Sequence, residues 1–454
     1  MAGTTIYEFD ALLATPRSGP IVAGVQVVPP QVYAWLETQA LRVAEKHKAP
    51  WLRLTQRQGQ RAVQVTSFVG VIRSPDGYQI EVLPKVAKVI NDGDVQARKL
   101  LLEMLRCLGR FRHIQTDSAN LMAAHMPLLE VFIAEFLRSV EQLIKRGIYS
   151  DYTTQQDNLF ALRGKLQIAT HMRRNLCRRD RFFTEFDEFT PDRLENRLLH
   201  SALLQVLSWT CSQRNQQLAR ELSFVFAGIP ISPNPSADIQ QVRLDRSMAH
   251  YLAALAWARL ILEDKSPLTG AGGHDAPSLL FPMEAVFEAF VANHLSRQLA
   301  QGFTLQEQAR SLSLVRHIDQ DWFRLKPDLL VQSSKVNRLV LDTKWKLIGA
   351  KQATGSDKYG LAQSDFYQLY VYGQSYLDGK GDVILIYPKT ESLDNVLPAF
   401  YFPKSKGLRL WVLPFCLKDK RLLLPECGSL DAIFFNTPQP YAGFQDLLTV
   451  RDNH

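Results

Sequence analysis

Residues 324–346 read RLKPDLLVQSSKVNRLVLDTKWK. Two short apolar runs, LLVQ from Leu329 and VNRLVL from Val336, flank a polar turn at Ser333, Ser334 and Lys335, which is the pattern of a β-hairpin. An antiparallel pairing centred on position 335 sets Asp328 beside Asp342 at the open end. Because side chains alternate along a strand, Lys344 shares a face with Asp342. Thr343 points the other way and is expected to offer the acids only its backbone carbonyl. The constellation expected from this stretch is two carboxylates, one carbonyl oxygen and one ammonium.

Oxygen ligands of this kind suit a hard cation such as Mg²⁺, which keeps several waters and bridges to phosphate. Phosphodiester hydrolysis fits such a site, with Lys344 orienting a water or stabilising charge as it builds. The plain reading beside it is a solvated strand edge, where charged residues next to a turn are common. The spelling Pro327-Asp328, then Asp342-Thr343-Lys344, resembles the PD-(D/E)XK nuclease superfamily. That resemblance implies Asp328, Asp342 and Lys344 as catalytic residues, and Asp328, Asp342 and the Thr343 carbonyl as metal ligands.

Working outward, the 454 residues are enough for several domains with substantial cores. At 46% hydrophobic and 22% charged, the composition is that of an ordinary globular protein without an apolar run long enough to span a bilayer. Glu8 and Asp10 precede any apolar stretch, so no secretory signal is read at the start and the expected location is the cytoplasm. Cys107, Cys177, Cys211, Cys416 and Cys427 are scattered and unpaired in spacing, which argues against a disulfide framework or a zinc site. A net charge of +8 permits a polyanionic partner without requiring one.

Residues 1–92 read as a β-rich domain, with strands in GPIVAGVQVVP, RAVQVTSFVGVIR and YQIEVLP, a hairpin turn at residues 75–77, and one helix from Pro30 to Lys46. The basic run 46–61, which contains Trp51, is a solvated loop or a contact for phosphate backbone. From 93 to 265 the period turns helical, giving a mainly helical middle region. Within it, 147–175 reads as irregular and polar, and a strand-like stretch then leads into a helix capped near Thr190 with Pro191 in its first turn. Arg173, Arg174, Arg178, Arg179 and Arg181 crowd together there. Arg173, Arg174, Arg178 and Arg179 are DNA-binding candidates, against the alternative of a surface salt-bridged to Asp187, Glu188 and Asp192. The run SPLTGAGGHDAPS, 266–278, lacks the GK[ST] ending of a phosphate loop and reads as a linker, so no nucleotide is expected on this chain itself.

Residues 279–454 form the expected α/β domain with a central mixed sheet, making the chain α+β and multidomain. An amphipathic helix from about Pro282 to Gln301 carries Glu288, which becomes a third carboxylate if it turns toward the hairpin, and His294, read as a packed residue. A second helix, 364–377, places Gln368 and Tyr372 four apart on one face. This Gln-x-x-x-Tyr resembles an accessory motif of some PD-(D/E)XK nucleases. DVILIYP (382–388) and LRLWVLPF (408–415) supply buried strands.

Taken together, IEVLPK at 80–85, Asn158 with LRGK at 162–165, ENRLL at 195–199, Phe287-Glu288, Pro327-Asp328, DTKWK at 342–346 and DFYQLYVY at 365–372 resemble the McrC family, the nuclease subunits of bacterial McrBC modification-dependent restriction systems. The resemblance covers most of residues 75–415. It implies an AAA+ GTPase partner of the McrB type, double-stranded DNA with modified cytosine as substrate, an N-terminal half that docks on and stimulates the GTPase, and a C-terminal half that cuts. Asp328 and Asp342 would hold Mg²⁺, Lys344 would assist the water, and Glu288, Gln368 and Tyr372 would support the site. Two other classes stay open at this point: a non-cleaving regulatory subunit of the GTPase, and a standalone repair nuclease of the PD-(D/E)XK kind.

Overall fold

The structure, a computed structural model, describes residues 3–14, 23–46, 50–57, 59–86, 93–108, 126–262, 278–309, 312–349, 358–425 and 430–434. It is α+β, and it divides into two compact units, Met1–Val286 and Phe287–His454. The linker expected at 266–278 falls, except for Ser278, outside the described residues, as does the tail beyond 434. No helix among the described residues is long and apolar enough to cross a membrane.

The first unit opens with two small sheets. One runs in the order Gly3–Tyr7, Gln79–Leu83, Phe68–Arg73, Ser278–Pro282, and the other in the order Val25–Val27, Ala11–Leu13, Gln60–Val65, Leu52–Arg57. The helix Pro30–Lys46 lies over them and buries Val32, Leu36 and Ala40 against Ile6, Leu12, Val63 and Ile80. Removing such aliphatic side chains from water is the main favourable contribution to the fold. The strand Ser278–Pro282 corrects the expectation that residues 279 onward all belong to the second domain. It pairs with Phe68–Arg73, and Leu280 joins the first unit's core. That return depends on Gly70, whose φ is +130° and where a Cβ would stand 1.9 Å from the Leu279 carbonyl oxygen.

The middle of this unit packs the helices Leu128–Arg146, Leu194–Trp209, Gln213–Val225 and Leu252–Leu262. Buried Glu130 on the first accepts hydrogen bonds from the Thr210 hydroxyl, the Cys211 backbone N–H and the Asn215 amide, and so closes the start of the third. Two expectations are corrected here. The polar stretch 147–175 is not irregular: Asp151–Leu159 is a nine-residue strand paired throughout with Phe182–Thr190, and Ile168–Arg174 is a short helix. Most of the strand is exposed, so no alternation of burial marked it in the sequence. The following helix starts at Leu194 instead of near Thr190, because Thr190 is still paired to Asp151 in the ladder. Pro191 therefore lies before the helix and accepts a hydrogen bond from the Asn196 side chain.

In the second unit, six described strands run in the order Phe303–Glu307, Leu329–Ser333, Val336–Thr343, Gly381–Pro388, Leu408–Cys416, Phe400–Tyr401, with Arg421–Leu422 added beside Leu408–Cys416. The first two contacts are antiparallel and the next two parallel, giving a mixed sheet. Central position explains the apolar runs: Leu339, Val340 and Leu341 are fully buried between neighbours on both sides. One face takes the helix Gln363–Leu377, whose Leu369, Tyr372 and Tyr376 pack with Val340, Val383 and Leu385. From the helix Met283–Leu295, which stops short of the expected Gln301, Phe287 packs tilted against Trp345 and edge-on to Phe415, with ring centroids 5.2 and 6.4 Å away.

Candidate active site

The hairpin register decides where the acids fall. Leu329 lies opposite Leu341, Leu330 opposite Val340 and Val331 opposite Leu339, and continuing that register puts Asp328 opposite Asp342, as the midpoint argument expected. Toward the turn the pairing slips by one, so that Gln332 faces Asn337 and Ser333 faces Val336. Ser334 and Lys335, both at positive φ (51° and 66°), form the two-residue turn. The odd residue is absorbed as a bulge at the turn end, leaving the acid end in register.

Asp342 is 1% exposed, at the C-terminal end of the central strand. Its Oδ2 atom is buried and has no well-aligned hydrogen bond; the Lys344 ammonium stands 2.6 Å away as its counter-ion. Lys344 is anchored by its backbone N–H to the Ile386 carbonyl on the neighbouring parallel strand. Its Nζ also donates to Gln368 Oε1 at 3.4 Å, and the Gln368 amide donates to Asp342 Oδ1 at 3.4 Å and to the Tyr372 hydroxyl at 2.9 Å. Tyr372 in turn donates to the Lys326 carbonyl at 2.9 Å, which ties the helix to the segment leading into Asp328.

Asp328 precedes its strand by one residue and turns its carboxylate to Thr343. The Thr343 backbone N–H and hydroxyl both donate to Asp328 Oδ2, at 2.7 and 2.8 Å. This corrects the expectation that Thr343 would meet the acids through its carbonyl alone: strand alternation governs Thr343, but not a partner in the adjoining loop. Glu288 reaches toward the hairpin yet is held by the Gln308 amide at 3.1 Å, while Gln308's backbone N–H donates to the Asp328 carbonyl. Among the described residues no three His, Cys, Asp or Glu side chains converge into a ready-made metal shell. What is assembled is a pair of carboxylates, with Glu288 beside them.

The electrostatics follow from burial. Asp342 is pushed up to about 6 by burial and by the Asp328 charge, with Lys344 pulling the other way. Glu288 is pushed up to about 7 by burial and then by Asp328. For Lys344, burial alone would lower the pKa, but the Asp342 charge prevails and raises it, so the ammonium stays charged. His294 is lowered to about 4 by burial and by nearby Lys420 and Arg297, and its ring packs 4.6 Å from Phe290.

Two neighbours of the site were missed in the sequence. Asp365 sits one turn before Gln368 and accepts a hydrogen bond from the buried Tyr387 hydroxyl at 3.4 Å. Its spacing to Gln368 was visible, whereas Tyr387 approaches only through parallel pairing of strands distant in sequence. The four candidate arginines belong to the first unit and the acids to the second. Arg173 and Arg174 end the helix Ile168–Arg174, Arg178 and Arg179 follow it, and all four are exposed in the first unit. Nor do the expected salt-bridge partners turn to them: Asp192 pairs with Arg197, and Asp187 accepts from Thr154.

Residues 63–388 match the family described as McrBC 5-methylcytosine restriction system component. The chain belongs to that family. The McrBC match bears out the resemblance read from the motifs and contains Glu288, Asp328, Asp342, Lys344, Gln368 and Tyr372. No curated protein matches the chain. Among solved structures, a chain of the refined half-complex from a tetradecameric assembly of Thermococcus gammatolerans McrB AAA+ hexamers with bound McrC is similar in fold. The TM-score is 0.63 at 18% identity, over 91% of this chain and 95% of that one. A chain of the Thermococcus gammatolerans McrBC complex aligns with TM-score 0.47 and 20% identity, over 65% of this chain and 88% of that one.

Proposed function

We propose that this McrBC-family chain is the nuclease subunit of a GTP-dependent restriction complex, hydrolysing phosphodiester bonds in DNA that carries modified cytosine. The second unit is then a PD-(D/E)XK domain, and the partner is an AAA+ GTPase of the McrB kind, as in the similar Thermococcus gammatolerans assembly of McrB hexamers with bound McrC. The observation that carries this reading is the meeting of three groups at one strand end: buried Asp342, Lys344 2.6 Å from its Oδ2 atom, and Asp328 opposite it in the hairpin, oriented by Thr343. Two carboxylates brought together, one of them buried, repel each other, and a cation between them relieves that repulsion.

The donor set fits Mg²⁺, since two carboxylates plus water oxygens are an ordinary shell for that ion. When bound, Mg²⁺ would polarise the scissile phosphate and acidify a water. Asp328 and Asp342 supply the carboxylate oxygens, and Thr343 fixes the orientation of Asp328 through two hydrogen bonds. Lys344 carries a positive charge at the mouth of the pair, where it can donate to a phosphate oxygen or an attacking water. Gln368, touching both Asp342 and Lys344, keeps the two in register and is itself held by Tyr372.

The test mixes purified chain, methylated duplex and Mg²⁺, with and without the partner GTPase and GTP. Cutting confined to the full mixture is expected. Cutting by the chain alone points to a repair nuclease, and no cutting in any mixture overturns the assignment.

A further inference from the structure

Between the strand Phe303–Glu307 and Asp328 the chain makes a hairpin not anticipated from its sequence. Ser313–His317 pairs with Gln320–Arg324 as a two-stranded sheet of its own, closed by Ile318 and Asp319 at positive φ (45° and 57°). Residues 314–324 are all exposed, including Ile318 at 82%, Phe323 at 70% and Trp322 at 45%. An isolated two-stranded hairpin is marginal in water, and so much exposed aromatic and aliphatic surface on one arm marks a place of contact.

The arm is fixed at its base. The Leu325 N–H donates to the Leu312 carbonyl at 2.9 Å, and the Leu325 and Lys326 carbonyls accept from Tyr376 and Tyr372 at 3.3 and 2.9 Å. Tyr372 also holds Gln368, and Asp328 follows two residues beyond Lys326. The arm therefore springs from the edge of the carboxylate pair. Five residues per strand give a reach of about 17 Å, roughly five base-pair steps of duplex. Val315 and Trp322 are directly paired, and the His317 ring lies 4.9 Å from that of Trp322, while Arg324 and Lys326 are exposed at the base. The exposed rings are tilted to one another, at 52° and 78°. Although Asp319 and Asp321 lie on the arm, the cations Arg324 and Lys326 stand at its base, toward the acids. Exposed rings beside cations suit bases and phosphates together.

We propose that the hairpin 313–324 is a DNA-contacting arm, with Trp322 and its neighbours stacking on or wedging against bases within a few pairs of the phosphate held at Asp328 and Asp342. This rests on the nuclease reading of that site. The experiment uses the full chain, with and without its GTPase, and Trp322→Ala, Trp322→Phe and the tip variant Ile318→Ser. Binding of labelled methylated duplex is followed by anisotropy in Ca²⁺, 2-aminopurine is placed at successive positions around the cut, and GTPase stimulation is measured alongside. Trp322→Ala is expected to weaken binding about tenfold and to erase 2-aminopurine brightening near the cut. Trp322→Phe should restore both, with Ile318→Ser intermediate and GTPase stimulation unchanged throughout. Wild-type binding and brightening in Trp322→Ala overturns the proposal, as does loss of GTPase stimulation with DNA binding intact, which makes the arm a protein-docking element. If wild-type chain never cuts but the binding pattern holds, the nuclease reading fails and the DNA contact stands.

Discussion

Two aspartates on neighbouring strands of the same sheet meet opposite fates. Asp382, 7% exposed near the start of Gly381–Pro388, receives both arms of the Arg409 guanidinium, at 2.8 and 2.9 Å, and the Trp411 indole N–H at 2.9 Å. Asp342, more deeply buried at the end of the adjoining strand, has one lysine 2.6 Å away, a long hydrogen bond from Gln368 at 3.4 Å, and another carboxylate for company. The first is a satisfied structural ion pair, in which planar guanidinium geometry matches the carboxylate. The second shares its surroundings with a like charge, and on the proposed reading that is where a cation would bind. Burial by itself therefore does not tell the two aspartates apart; the sign and number of the groups gathered around each buried charge do.

Exchanging the two aspartates' fates is the strongest way to break this contrast. Asp342→Ala is expected to reduce cutting by the assembled complex at least roughly a thousandfold, with GTPase stimulation and denaturant midpoint nearly unchanged. Asp382→Ala should do the reverse, preserving cutting per folded molecule while lowering stability by about 1–3 kcal/mol in urea unfolding, because Arg409 and Trp411 lose their acceptor. Equal loss of cutting and GTPase stimulation in Asp342→Ala would count against separate roles for the two units.

Lys344→Met should lower the cleavage rate about 10²-fold, as read in single-turnover assays. A reduction no greater than that of a surface lysine such as Lys404 would remove Lys344 from the chemistry.

A smaller effect comes from Glu288. Its carboxyl is raised from 4.5 to about 7, so in chelator-treated protein its neutral form favours the folded state fully below pH 4.5, and that contribution is lost as pH rises through 7. Glu288→Gln should therefore raise Tm by about 2–4 °C at pH 8 and leave it unchanged at pH 4. A gain of equal size at both pH values would show that charging a buried carboxyl beside Asp328 is not the cause.

Least of all, Tyr372→Phe removes the hydroxyl between Gln368 and Lys326, worth about 1 kcal/mol. A few-fold slower cleavage with unchanged GTPase stimulation is expected. No change in cleavage would make Tyr372 a core aromatic only.

Much of this site was legible because its parts are close in sequence. Fourteen positions separate Asp328 from Asp342, and a turn between two apolar runs suffices to bring them together. That Gln368 and Tyr372 share a helix face was readable from spacing, while their place beside the acids came from the motif resemblance. The exposed strand Asp151–Leu159 was not, since it lacks the alternation by which strands are recognised. The arm 313–324 was missed for a similar reason: both its faces meet solvent, so its aromatic residues follow no burial pattern.

By itself, then, the chain's order of residues settled the hairpin, its register at the acid end, the neighbouring helix and the family motifs, because local propensity and short loops bring these about with little help from distant residues. Tertiary structure alone decided which charges gather around buried Asp342, that the Thr343 N–H and hydroxyl steady Asp328, that Tyr387 finds Asp365, and that Ser278–Pro282 returns to the first unit. Desolvation and long-range pairing depend on what the whole fold places around a group, and no local stretch of sequence encodes that.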